Sequence, residues 1–164
     1  MRLRFCGYMD YEEGKLARVE TLESEIPVNI HAEDDSDTTL YEGDDCVVNI
    51  YAVGNHFELY HTEAEYKAAG KRMAAMSMIP SGTFPANEND EDFRQSANII
   101  YTGKILDVWK EREATENINE PNYCLEVQTY ELRFLLYVWY DGTIERGTLI
   151  SGVAWLFGTV QKTE

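Results

Sequence analysis

Between Val19 and Tyr66 the chain has neither lysine nor arginine, while thirteen acidic residues fall in the same stretch. Over all 164 residues, 14 basic side chains face 30 acidic ones, a formal net charge of −16. Phosphate contacts depend on Lys and Arg, so direct binding to nucleic acid or to an anionic membrane is disfavoured and a basic protein is the favoured partner. Cysteine is scarce as well. Cys6, Cys46 and Cys124 are odd in number and far apart, with no CxxC pair. That argues against a disulfide framework or a zinc knuckle and leaves three core thiols. No apolar run approaches the roughly 18 residues that a membrane span needs, and Met1 to Tyr8 lacks the apolar stretch of a signal peptide. A soluble cytoplasmic protein is the expectation. Apolar material is plentiful: 44% hydrophobic residues suffice for a packed core, which an acidic disordered tail could not build. The length suits one domain or two small ones.

An internal repeat is the most informative pattern. Gly14-Lys15-Leu16-Ala17-Arg18-Val19 recurs as Gly103-Lys104-Ile105-Leu106-Asp107-Val108, and the segment from Gly43 to Gly54 parallels that from Gly147 to Gly158. The two pairs occur in the same order in each half.

Strand composition dominates. Segments 46–53 and 148–160 are rich in β-branched and aromatic residues punctuated by Gly, and Tyr123 to Tyr130 alternates with period two. Leu132 to Tyr140 is apolar at nearly every position, so it is either covered on both faces or carries an exposed aromatic surface, within the monomer or at a homodimer contact. Between the halves, Thr62-Glu63-Ala64-Glu65 reads as a capping box. Tyr66, Ala69, Met73 and Met76 then recur at helical spacing, which predicts an amphipathic helix stopped by Pro80-Ser81-Gly82. The expected organisation is an acidic first β module over 1–61, a connecting helix over 62–79, an acidic loop over 80–96 and a second β module over 97–164.

Short twisted strands separated by Gly, without parallel-sheet helices, suggest small antiparallel barrels. The second half, from Ile99 through Gly158, resembles an OB-fold barrel. It is similar to an uncharacterised group of small proteins from gut Firmicutes that combine an IPxGTFP motif, a GKVL first strand and a Gly-bounded, Trp-containing last strand. The matching residues are Ile79 to Pro85, Gly103 to Leu106, and Gly147 to Phe157. The first half carries the resemblance more loosely, through the repeat. It implies a mainly β (α+β) fold of two OB-like modules joined by the amphipathic helix, and it implies no activity.

The acidic clusters are the leading functional feature. Carboxylates such as Glu33, Asp34, Asp35, Asp37, Asp44 and Asp45, or Glu88, Asp90, Glu91 and Asp92, can imitate nucleic-acid phosphates and attract a basic cleft. The expected function is a non-enzymatic inhibitor of a nuclease, a CRISPR effector or another basic nucleic-acid-binding protein, as immunity and anti-CRISPR proteins are. The competing uses of the acids are a plain solubilising surface and an irregular divalent-cation site made from Asp34, Asp35, Asp37 and Asp44. An EF-hand is excluded, because Leu40 stands where that loop's sharp turn needs Gly. The alternative function is an OB-like single-stranded nucleic-acid binder stacking bases on Tyr101, Tyr137 and Trp139. His56 and His61 are five apart, which on a strand points them to opposite faces. Cys46 and Cys124 have no basic neighbour to ionise them, and neither a GxSxG elbow nor a phosphate-binding loop is present. No catalytic residue and no cofactor is therefore expected.

Overall fold

The computed structural model describes residues 1–11, 14–83 and 96–164. The chain is mainly β. Its elements are β1 (Arg2–Tyr11), β2 (Gly14–Glu20), β3 (Pro27–Ala32), β4 (Asp45–Tyr60), a short α1 (Glu63–Ala68), β5 (Ser77–Ile79), β6 (Asn98–Lys110), β7 (Tyr123–Gln128), β8 (Arg133–Val138) and β9 (Leu149–Lys162). The strands hydrogen-bond in the order β1-β2-β3-β9-β4-β8-β7-β6-β5, with β1 also pairing with β4 and β9 with β6. Among the described residues no helix is long and apolar enough to cross a membrane.

The chain folds into two compact units that interleave along the sequence. Unit 1 comprises Met1–Ile50, Pro80–Ile99 and Trp155–Glu164, and unit 2 comprises Tyr51–Ile79 and Ile100–Ala154. The sequence reading placed the β modules in succession, at 1–61 and 97–164. The difference arises because β4 and β9 are long enough to serve one unit with their first part and the other with their second.

In unit 1, β1 pairs antiparallel with both β2 and β4, β2 pairs with β3, and β3 runs parallel to the end of β9 with His31 opposite Phe157. With β9 beside β4 the strand order returns to β1. Buried Leu3, Phe5, Ala17, Val19, Ile30 and Val48 fill the interior, as period-two alternation requires. Unit 2 follows the same scheme with β6, β7 and β8. β8 runs parallel to the middle of β4, pairing Tyr137 with Val53, and the interior holds Ile105, Leu125, Phe134, Leu136 and Ile150.

Several features of unit 1 recur in unit 2. In unit 1 the Phe5 N–H donates to the Asp44 carbonyl at 2.8 Å and the Gly43 N–H to the Phe5 carbonyl at 2.8 Å. In unit 2, Ile105 N–H donates to Thr148 at 2.9 Å and Gly147 N–H to Ile105 at 2.8 Å. Gly43 and Gly147 both sit at positive φ, +93° and +83°, a turn geometry that favours glycine. The bulge between Phe5 and Gly7 has its counterpart between Ile105 and Asp107. After β2 and β7, buried Thr21 and Thr129 close the hairpins, each followed by a glutamate in the left-handed region, Glu25 and Glu131.

The Gly43 and Gly147 segments, matched in the sequence, are thus structural counterparts that lead into β4 and β9. The Gly14 and Gly103 strings are not. Gly14 opens β2, whereas Gly103 lies inside β6, the counterpart of β1. A Gly-Lys-aliphatic string carries too little information to fix strand identity, which the long-range pairing decides.

The helix is much shorter than its periodicity suggests. Its start is as expected: the Thr62 hydroxyl accepts from the Glu65 N–H at 3.1 Å, while the Glu65 carboxylate reaches back to the His61 N–H at 2.9 Å. Gly70, at φ +72°, ends it, and Ser77–Ile79 is strand β5 paired with β6. Helix 62–79 is therefore corrected to one six-residue helix inside unit 2. β8 settles the apolar run at 132–140. Phe134, Leu136 and Val138 point inward while Leu135 stays exposed and Tyr137 half-buried, so the strand has one buried and one apolar outward face.

Candidate functional site

The site builds from period two on β3 and β9 of unit 1. On β9 the buried Leu156, Gly158 and Val160 alternate with Trp155 and Phe157 on the outward face, and on β3 buried Ile30 precedes outward His31. Parallel pairing brings these outward residues together. The His31 and Phe157 rings stack with centroids 5.0 Å apart at 26°, Trp155 approaches His31 at 6.5 Å, and Tyr11 approaches His31 at 5.6 Å. Two residues before His31 on the same strand, Asn29 is buried, its amide donating to the carbonyls of Gly82 and Ser96 at 3.2 Å each while Oδ1 accepts from Arg18 Nε at 3.1 Å.

His31, Trp155 and Phe157 line a cleft of about 600 Å³, within the size range of small-ligand sites. Tyr8 lines it too, its hydroxyl donating to the Asp37 carbonyl at 2.6 Å. Burial pushes the Tyr8 phenol above its ordinary value, and the Asp37 charge adds to this. Lys15 Nζ stands 5.7 Å from the Tyr8 ring centroid, within the range of a cation–π contact. Three carboxylates, Asp10, Glu33 and Asp34, line the cleft with Lys15.

The loop that carries Glu33 and Asp34 is zipped to β9. Glu33 N–H donates to Gly158 at 2.9 Å, Asp37 N–H to Val160 at 2.7 Å, and Gln161 Nε2 to the Asp35 carbonyl at 2.8 Å, while the Ser36 hydroxyl accepts from Val160 N–H at 3.1 Å. Glu33 and Asp34 are thereby tied to β9 through the backbone of their loop.

The predicted acidic residues have diverged in role. Glu33 and Asp34 line the cleft and Asp35 lies exposed beside them. The Asp37 carboxylate turns back on its own loop, accepting from the Thr39 hydroxyl at 2.6 Å and N–H at 2.8 Å, and these bonds hold it below the usual carboxylate range. Asp44 accepts from Tyr41 N–H at 3.0 Å and pairs with Lys162 at 3.1 Å, and both lower its pKa. Asp45 faces Arg2 at 3.6 Å. Glu88, Asp90, Glu91 and Asp92 lie outside the described residues.

The predicted aromatic surface is corrected at Tyr101. That ring is fully buried, edge-on to Phe134, so it cannot stack on a ligand. Tyr137 is half-buried and stands edge-on to Tyr51 at 6.4 Å. Trp139 remains 40% exposed, with its indole N–H donating to Ala114 at 3.2 Å. An aromatic cluster forms instead from Tyr11, His31, Trp155 and Phe157, of which Tyr11 and Trp155 are exposed and the other two half-buried. The alternation in β9 shows Trp155 and Phe157 on one face, but no local signal joins them to His31.

Burial pushes the Cys6 and Cys46 thiols up to about 11 and raises Cys124 as well. His56 and His61 are exposed. Among the described residues no group of three or more His, Cys, Asp or Glu side chains could hold a metal ion. No family model, no curated protein and no solved structure matches the chain.

Proposed function

We propose that the chain is a non-enzymatic binding module of two OB-like barrels that docks on a basic nucleic-acid-handling protein, such as a nuclease or a CRISPR effector, and blocks its phosphate-binding surface. One observation carries this reading: Asp10, Glu33 and Asp34 share an aromatic cleft with a single lysine, on a chain of net charge −16. Such a field draws a basic partner in and raises its association rate. The return of the strand order to its starting strand in each unit supports the OB-like description. Capture on the immobilised protein from nuclease-treated lysate of its own host is the test. The expected result is one basic nucleic-acid-handling protein, released by moderate salt and retained poorly by the double variant Glu33→Lys/Asp34→Lys.

A second reading, an OB-like single-strand binder, draws on the outward rings of Trp155, Phe157 and His31 as base-stacking faces. Lysate that yields no protein, and nucleic acid only when nuclease is omitted, would replace the first reading with this one.

A further inference from the structure

We infer that the unit 1 cleft receives an arginine side chain from a basic peptide segment, with the guanidinium stacked on the outward rings and hydrogen-bonded to the carboxylates at the mouth. The inference rests on the reading of the partner as a basic protein, and it deepens that reading to one residue type and one place.

Charge selects the sign of the ligand. Asp10, Glu33 and Asp34 outnumber Lys15 in the lining, so a cation is attracted where a phosphate would be repelled. The rings select its shape. Trp155 keeps 53% of its surface exposed beside the His31–Phe157 stack, so part of its ring is open to a ligand. The protein already uses one ring of the cleft in this way, with the Lys15 ammonium over Tyr8. Arginine suits the site better than lysine, because its guanidinium is planar, weakly hydrated, stacks on aromatic faces and forks onto carboxylates. The volume of about 600 Å³ exceeds what one guanidinium needs, which leaves room for the flanking peptide.

Lys15 then acts against the ligand. Its removal strengthens cation binding and weakens anion binding, so the sign of the Lys15→Met effect identifies what the cleft takes.

The experiment titrates the full chain at low salt with three probes: a glycine-spaced arginine peptide, its lysine counterpart and an oligothymidylate, read by tryptophan fluorescence. The arginine peptide should bind several-fold tighter than the lysine peptide. Lys15→Met should tighten it about two- to fivefold, and Glu33→Gln/Asp34→Asn should weaken it about tenfold, as expected for partly exposed charge pairs with bidentate character. Trp155→Phe, checked by circular dichroism for an unchanged fold, should remove most of the fluorescence change. Preferential binding of the oligothymidylate, weakened by Lys15→Met, would overturn the inference. So would an arginine-peptide response indifferent to Trp155→Phe. If Trp155→Ala captures the basic lysate partner as well as the native chain does and no arginine selectivity appears, the cleft assignment fails while the binding-module reading stands. Selective arginine binding without any captured protein overturns the module reading and leaves the cleft as a site for guanidinium compounds.

Discussion

At the scale of single residues the thiols give the clearest chemistry. Cys6 and Cys46 both titrate near 11, against an ordinary value near 9, chiefly because burial penalises the thiolate and secondarily because Glu20 lies near Cys6 and Asp45 near Cys46. A raised pKa means that the folded state holds its proton more tightly than the unfolded chain. The associated stability is complete below about pH 9 and is lost as pH rises from about 9 to about 11. Melting temperature should fall across that window, and Cys6→Ala/Cys46→Ala should flatten the fall; an equal slope in both proteins would refute this assignment. The burial of Cys46 and Cys124 is legible in the sequence, since both sit among apolar strand neighbours. The half-buried position of Cys6 at the β1 bulge is not, because a bulge belongs to a strand pair and not to a single strand.

At the scale of elements, β4 and β9 decide the architecture, and glycine lets them approach. A Cβ built on Gly158 would meet the Asn49 carbonyl oxygen at 2.3 Å, backbone that cannot step aside. Gly158→Ala should therefore cost about 1–3 kcal/mol, with the melting temperature falling roughly 2–4 °C per kcal/mol at this length. Gly147 has nothing within 4 Å, and its demand is only for positive φ. Gly147→Asn, which tolerates that geometry, should be the milder change; equal losses by thermal melting would show that crowding at Gly158 is unimportant. Most strands were readable from alternation and β-branched composition, because each pattern is local. The helix was misread beyond Ala68 because a helical spacing of Met73 and Met76 says nothing about Gly70, whose left-handed turn ends the element and frees the next residues to pair as β5.

At the scale of the whole molecule, charge is the dominant property. A net −16 in a small protein repels itself, and the ion pairs present are mostly between exposed side chains, where each contributes little. Raising sodium chloride from about 20 to about 200 mM, which shortens the screening length several-fold, should raise the melting temperature. A fall would mean that the ion pairs outweigh the self-repulsion.

The mainly β class, the acidic character, the Gly43 and Gly147 correspondence and the Thr62 helix cap follow from composition and spacing, since each depends on neighbours within a few residues. The parallel pairing of β3 with β9 joins His31 to Phe157 across more than a hundred residues, and no local pattern encodes a pairing of that separation. That pairing sets Trp155 and Phe157 beside His31 on one face and gathers them with Glu33 and Asp34 at one cleft, while long-range packing within unit 2 buries Tyr101 against Phe134. The acids are legible in the sequence, but what stands beside them is set by which strands hydrogen-bond across the fold.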